Sequence, residues 1–327
     1  MQLPSGINTA LPINPVGGVG GSSMSTTAPV TNTTTAEADQ TAGIGQRNSH
    51  RSVSPLNFYT DFATANFGSA VGSAAARVLA GMDGPDSPQP VTWDMGPGVI
   101  QSEETPWAQI QSQYAFVEKF AVLRPDVFGA ANLERFDYWL NTLRYFSSLA
   151  EVGCARGQLD LVMKQVRLAT DPESKLPYAQ RALTNRIVLA RAWDRMMSHL
   201  VSTVRTPGEL GTVANLHQQN LVRRQFLTTY DTDLVSALGS SLPPSVDLAT
   251  TYAGPSRLIV PAVRTLVEIG ESLIARAMLI TSTSIRNAPI MRWRWLGGTD
   301  YQSIPMTSVG GANFRAILPP ATNDLEY

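Results

Sequence analysis

The chain has 327 residues, 43% of them apolar and 16% charged, with a formal net charge of −1. That length and apolar share fit one large or two ordinary globular domains, and the near-neutral balance argues against a general nucleic-acid binder, which would carry a basic excess. No apolar run reaches bilayer-spanning length, so no membrane partner is expected, and the opening MQLPSGINTALPINPVGG lacks the basic and apolar regions of a signal peptide.

Residues 1–54 are rich in Gly, Ser, Thr, Pro and Asn, with almost nothing to bury, and are expected to form a disordered low-complexity tail. From Pro55 the texture changes. LNFYTDFATANFG reads as a short amphipathic helix with Phe58, Phe62 and Ala65 on one face and Gly68 at its end. SAVGSAAARVLAGM gives a second helix, stopped by Gly81. The segment VTWDMGPGVIQSEETPW is a long loop of the kind that often carries function. Trp93 within it is suited either to stacking on a ligand ring or to plugging the domain surface. Thr105 and Pro106 open a helix that is expected to continue to Arg124 and Pro125.

The most informative stretch is residues 132–167. It contains no proline and its apolar residues recur at helical spacing. Leu133, Phe136, Trp139, Leu140, Leu143, Phe146 and Ala150 fall on one face, so Trp139 is expected in the core. Glu134, Asp137, Tyr138, Asn141, Tyr145 and Ser148 fall on the other. Gly153 and Gly157 are candidate weak points. The single Cys154 cannot close an internal disulfide and reads as packing. Asp171-Pro172 should break the chain before a long helix over residues 178–205. Its arginines, Arg181, Arg186, Arg191 and Arg195, lie off the apolar stripe on what reads as a solvated face. After the turn at Pro207, the residues Asn215, His217 and Gln218 enter a helix expected to run to Leu238. Residues 241–256 read as a linker. Beyond it RLIVPAVRTLV, SLIARAMLIT, IMRWRWL, QSIPM and NFRAILPP read as short strands, with Gly297-Gly298 and Gly310-Gly311 at turns.

The expected fold class is therefore α+β and multidomain. A disordered tail (1–54) precedes an antiparallel α-helical domain (55–240), a linker (241–256) and a small β-sandwich-like domain (257–327). The last is expected to be cut short, because LEY at its end looks like the start of another strand.

The segments LNFYTDFATANFG, WDMGPGVI, YAFVEKFAVLRP, NLERFDYWLNTLRYFSSLAEVGCARGQLD, ARAWDRMMSHLVSTVRTPGELGTVANLHQQ and WRWLGG…IPM…FRAILPP occur in an order that resembles the C-terminal half of large microbial glycoside hydrolases. In those enzymes a (β/α)₈ catalytic barrel precedes a helical domain and a β-sandwich. The resemblance covers residues 55–327, rests on segment order rather than on a catalytic signature, and implies a carbohydrate partner. It also implies a missing part, since no alternation of strand and helix marks a barrel here.

Candidate substrate-binding residues fall in two groups besides Trp93. Glu134, Asp137, Tyr138 and Asn141 offer carboxylates, an amide and a polar-tipped ring suited to sugar hydroxyls. Glu209, Asn215 and His217 lie around the Pro207 turn, where a helix cap with exposed polar surface is the plainer explanation. Glu134 and Asp137 sit one turn apart on one helix, whereas glycoside cleavage needs carboxylates on opposite sides of the bond. No catalytic pair is assigned. His50, His199 and His217 are too scattered for a zinc site, and no metal or cofactor is expected. Trp293 and Trp295 share one face of a strand, expected to be its core face.

The residues fit three functions. The first is an accessory region of a carbohydrate-active enzyme. The second is a structural or assembly protein, such as a coat component with a flexible arm. The third is an independent small enzyme using Glu134 and Asp137.

Overall fold

The computed structural model describes residues 55–83, 88, 90–92, 98–261, 264, 266–285, 287–295 and 297–320. The expected tail and Trp93 lie outside them.

Two helices, α1 (Pro55–Phe67) and α2 (Ser69–Ala80), follow the expected pattern, with Gly68 between them. Short strands β1 (Val91–Thr92) and β2 (Val99–Ile100) then pair antiparallel. The single helix expected from Pro106 is instead two pieces, α3 (Trp107–Ile110) and α4 (Phe116–Ala121), with 3₁₀ turns at Gln111–Tyr114 and Arg124–Asp126. Tyr114, Val117 and Phe120 are all buried along this stretch.

Helix α5 (Ala130–Leu168) is unbroken over 39 residues and serves two cores in turn. Its first half sends Phe136, Leu140 and Leu143 against α1, α2 and α4, where the rings of Phe136 and Phe120 stack 4.4 Å apart. Its second half sends Leu149, Val152, Leu159, Val162 and Met163 against the next helix. Because the neighbour changes midway, the buried face widens. Ser148 is buried and Tyr145 packs against the second core, although both were expected on a polar face. Trp139 is only half-buried at the rim of the first core, edge-on to Phe62 at 5.6 Å.

Gly153 and Gly157 are not weak points. The chain after β2 crosses α5 there, and a Cβ on Gly157 would lie 1.9 Å from the Glu103 carbonyl oxygen. The Glu103 amide donates to the Gly153 carbonyl at 3.0 Å. Glycine is used for close backbone approach, and its helix-propensity cost is offset by that packing.

Residues 169–171 turn the chain into α6 (Pro172–Thr203), which forms an antiparallel hairpin with α5. It starts earlier than expected because Asp171 caps it, accepting from the Ser174 amide at 2.8 Å. Pro172 sits at the first position, and Pro177, in the second turn, forfeits only one backbone bond. Helix α7 (Pro207–His217) passes into a π-helical turn at Gln218–Arg223, and α8 (Asp231–Leu238) follows separately. The expected continuous helix to Leu238 is thus interrupted, with Gln225 at φ 48°. Val246, in the segment read as a linker, is buried, and that segment docks on α6.

The remaining strands are β3 (Arg257–Ile259), β4 (Ile274–Ile280), β5 (Ile290–Trp293), β6 (Gln302–Pro305), β7 (Thr307–Gly310) and β8 (Asn313–Ile317). They form a four-stranded antiparallel sheet, ordered β3-β4-β8-β7, and a separate β5-β6 ribbon. The fold is α+β. Strand β7 was not expected, since four exposed residues without an apolar alternation carry no strand signal. Side chains Met291 and Ile304 of the ribbon pack with Ala277, Phe314 and Ala316 of the sheet. Trp293 is buried on that inner side, with Trp295 edge-on at 5.3 Å, as expected.

Candidate functional site

The first half of α5 presents the residues singled out for sugar contact. Asp137 accepts from Arg124, Nε to Oδ1 at 2.6 Å and Nη2 to Oδ2 at 2.9 Å. Asn141 donates to the Asp137 carbonyl at 2.8 Å, one turn back on its own helix. The Arg205 guanidinium lies 4.3 Å from the Tyr138 ring centroid and donates from Nη2 to the Glu134 carbonyl at 3.0 Å. The Glu134 carboxylate itself is exposed.

Glu209 completes a capping box. It accepts from the Thr206 amide at 2.8 Å and from the Arg205 amide, while the Glu209 amide donates to Thr206 Oγ1 at 3.3 Å. Arg205 thereby brings Glu134, Tyr138 and Glu209 into one neighbourhood. It was not singled out in the sequence, where it looks like any arginine before a Thr-Pro turn. Asn215 and His217 are exposed toward the other end of α7 and do not join this group. Asp137, Tyr138, Asn141 and Glu209 therefore each have a partner within the fold. An exposed bidentate pair and a helix cap stabilise local geometry, and such groups offer a ligand only part of their hydrogen-bonding capacity.

Three further polar residues were missed. Asn220 is fully buried at the π-turn. Its Oδ1 accepts from the Ile100 amide at 3.2 Å, and its Nδ2 donates to the Gly98 and Leu216 carbonyls at 3.2 and 3.0 Å. It satisfies loop backbone inside the core, the requirement any buried peptide group imposes. Arg156 pairs with Asp160 at 2.9 Å, lies over the Phe226 and Tyr230 rings, and donates to the Phe226 carbonyl. The i, i+4 spacing of Arg156 and Asp160 was the available signal.

Arg186, expected on a solvated face, is buried instead. It pairs with Asp231 through Nε at 2.9 Å and Nη2 at 3.2 Å, and donates from Nη1 to the Val246 carbonyl at 3.1 Å. The arriving segment at Val246 and α8 cover that side of α6. A cleft of about 190 Å³ lies beside this pair, lined also by Leu221, Leu227 and Leu248. It is smaller than the roughly 300–1,000 Å³ of ligand pockets, and its charged groups are already engaged with each other.

The titratable groups that burial disturbs are spread out. Desolvation pushes the Cys154 thiol up to about 11, with nearby Glu103 and Glu151 adding to it. A thiol held protonated is a poor nucleophile. Burial likewise pushes Tyr114 and Tyr145 up to about 12. Desolvation, then Arg144 and Arg195, hold His199 below the ordinary imidazole range. Burial raises the Asp194 carboxyl although it accepts from the Ala249 amide. Among the described residues no group of three or more His, Cys, Asp or Glu side chains is placed to hold a metal, and no helix is long and apolar enough to cross a membrane.

No protein-family model, curated protein or solved structure matches the chain. A glycoside hydrolase origin thus gains no support from comparison.

Proposed function

We propose that the chain is a structural or assembly protein: a helical scaffold joined to a β body that associates with further subunits, with the low-complexity residues 1–54 as an arm. One observation carries this reading. The face of the four-stranded sheet turned away from the ribbon leaves Ile274 and its cross-strand partner Ile317 about half exposed, and among the described residues no strand pairs with the outer edges of β3 and β7. An uncovered apolar pair on a sheet with open edges is a surface that assembly covers. The ribbon over the sheet is read, on the same grounds, as a β-sandwich left incomplete on one side.

The carbohydrate-enzyme reading draws on residue chemistry at Glu134, Asp137, Tyr138 and Asn141. The intramolecular partners of the last three weigh against it. Sedimentation velocity of the full chain from micromolar to several hundred micromolar, followed by negative-stain imaging, tests the proposal. Concentration-dependent growth into discrete larger species is expected. A monomer at every concentration, together with turnover of aryl glycosides, would replace it with the enzyme reading.

A further inference from the structure

The charge of the chain is unevenly divided. Residues 55–256 carry sixteen Lys and Arg against nineteen Asp and Glu, whereas residues 257–327 carry seven Arg against five Asp and Glu. Part of that basic excess sits on the open sheet face. Arg276 and Arg315 are cross-strand partners, one step along from the Ile274–Ile317 pair, and all four are exposed. Side chains directly opposite in an antiparallel pair lie about 4.5–5.5 Å apart at Cβ, and like charges so placed repel. Neither arginine has a hydrogen bond or ion pair among the described residues. The same face is closed at its other end, where Ile259 pairs with Met278 and is fully buried. The exposed part is therefore a compact patch of two isoleucines and two arginines that have no partner among the described residues.

Four exposed side chains of complementary chemistry lie in the helical body, in a segment whose two acidic and two basic residues balance. Between residues 118 and 128, Glu118 and Val122 stand one helical turn apart on α4 and its end, and Asp126 and Phe128 follow. All four are exposed, Val122 at 67% and Phe128 at 71%. Neither carboxylate has a side-chain partner among the described residues. The nearby Arg124 is committed to Asp137, and Lys119 projects from the next position round the helix.

We propose that the exposed side chains of Glu118, Val122, Asp126 and Phe128 of one copy dock on the Ile274, Arg276, Arg315 and Ile317 patch of a second copy. This rests on the assembly reading above and names its contact. The two surfaces differ, so the contact is heterologous and propagates head to tail into a ring or an open array. Two carboxylates would relieve the Arg276–Arg315 repulsion, and Val122 and Phe128 would cover the isoleucines. Charge placed this way sets register and partner choice as well as affinity. A second copy is favoured over a polynucleotide because the patch is half apolar and the acidic counterpart is in the same chain.

The test uses the full chain and two double variants, Arg276→Glu/Arg315→Glu and Glu118→Lys/Asp126→Lys, each checked by circular dichroism for native helix content. Sedimentation velocity is run in about 50 mM and about 500 mM salt. Wild type should associate, more weakly at high salt. Each double variant alone should associate at least about tenfold more weakly, and an equimolar mixture of the two should recover association, because each then meets a complementary surface. Wild-type association unchanged in both variants would overturn this contact while leaving the assembly reading in place. A wild type that stays monomeric throughout would overturn both. Single-stranded RNA binding that is lost in Arg276→Glu/Arg315→Glu, with self-association intact, would assign the patch to a polynucleotide instead.

Discussion

The helical body and the β body reach stability by different routes. In the helical body two large clusters are filled by aromatic and branched side chains such as Phe67, Phe136, Leu159 and Trp193. Buried polar side chains there, Asn220, Arg156 and Arg186 among them, are bound internally. In the β body the two clusters are small and lean on Ala275, Ala277 and Ala316, with Trp293 and Phe314 as the main bulk. Alanine lets the ribbon approach the sheet but contributes little buried area, so each body's stability should track the size of its core. Charge follows the same division. Ion pairs such as Arg186–Asp231 and Arg195–Glu151 tie helical elements together, while Arg276 and Arg315 are left facing outward. The helical body is built to hold its shape; the β body retains surface that folding has not used.

The largest expected effect breaks the helical side of this contrast. Trp193 is fully buried between α6 and Phe226. Trp193→Ala should cost about 3–5 kcal/mol, the range for aromatic core truncation, and lower the denaturant midpoint of the far-ultraviolet helix signal. A loss under about 1 kcal/mol would mean that this core does not hold the helices. Trp293→Ala makes the matching test in the β body. It should cost about 3 kcal/mol of sheet stability and expose residues 257–320 to protease while the helix signal persists. Helices and sheet melting together would show that the bodies are one cooperative unit. Gly157→Ala should cost less than either. The added Cβ would collide with backbone at Glu103, and about 1–3 kcal/mol is expected from forced overpacking. An unchanged midpoint would mean that the crossing segment is free to lift away.

Much of the helical body was legible because period 3.6 is a strong signal over long stretches. Phe136, Leu140 and Leu143 could be placed inward from spacing alone. What spacing could not show was the change of neighbour along α5, which turned Tyr145 and Ser148 inward and left Trp139 at a rim. Arg186 was misplaced for a related reason: the elements that cover it, α8 and the segment at Val246, lie about 45–60 residues away in sequence. The glycines at 153 and 157 were read from local propensity, and a tertiary crossing overrode it. In the β body the alternating strands were found, but β7 was not. The candidate site was legible only as chemistry. That Asp137 would be held by Arg124 and Glu209 by its own cap depends on geometry the sequence does not print.

Alkaline pH offers a milder way to separate the two bodies. Tyr114, Tyr145 and Cys154 belong to the helical body, while the one tyrosine in residues 257–320, Tyr301, is exposed. Burial raises the folded pKa of Cys154 from 9.0 to about 11 and of both tyrosines from 10.0 to about 12. The unfolded chain therefore loses these protons first, so their contribution is complete below pH 9 and is lost as pH rises from 9 to about 12. Helix stability measured in denaturant should fall across that window. In Cys154→Ala the decline should begin nearer pH 10. An identical onset in the variant would show that the thiol is not the first group to titrate.

The smallest effect is expected at Asp137, and its size bears on function. Asp137 and Arg124 form a bidentate pair with side chains 35% and 48% exposed. Exposed pairs contribute little because water competes for both charges and two long side chains must be held in place. Asp137→Asn should therefore cost less than about 1 kcal/mol and leave the helix signal unchanged. The pair also bears on what Asp137 is free to do. A carboxylate that receives both guanidinium donors keeps only its remaining lone pairs for a sugar hydroxyl, and Asn141, turned back to the helix carbonyl, keeps its oxygen and one amide hydrogen. Isothermal titration of the wild-type chain with soluble oligosaccharides should show no heat beyond dilution. Binding that appears in wild type and vanishes in Asp137→Asn would return this face to carbohydrate recognition and make the Arg124 pair a gate on it; with neither observed, the pair remains a clasp between the α4–α5 turn and the start of α5.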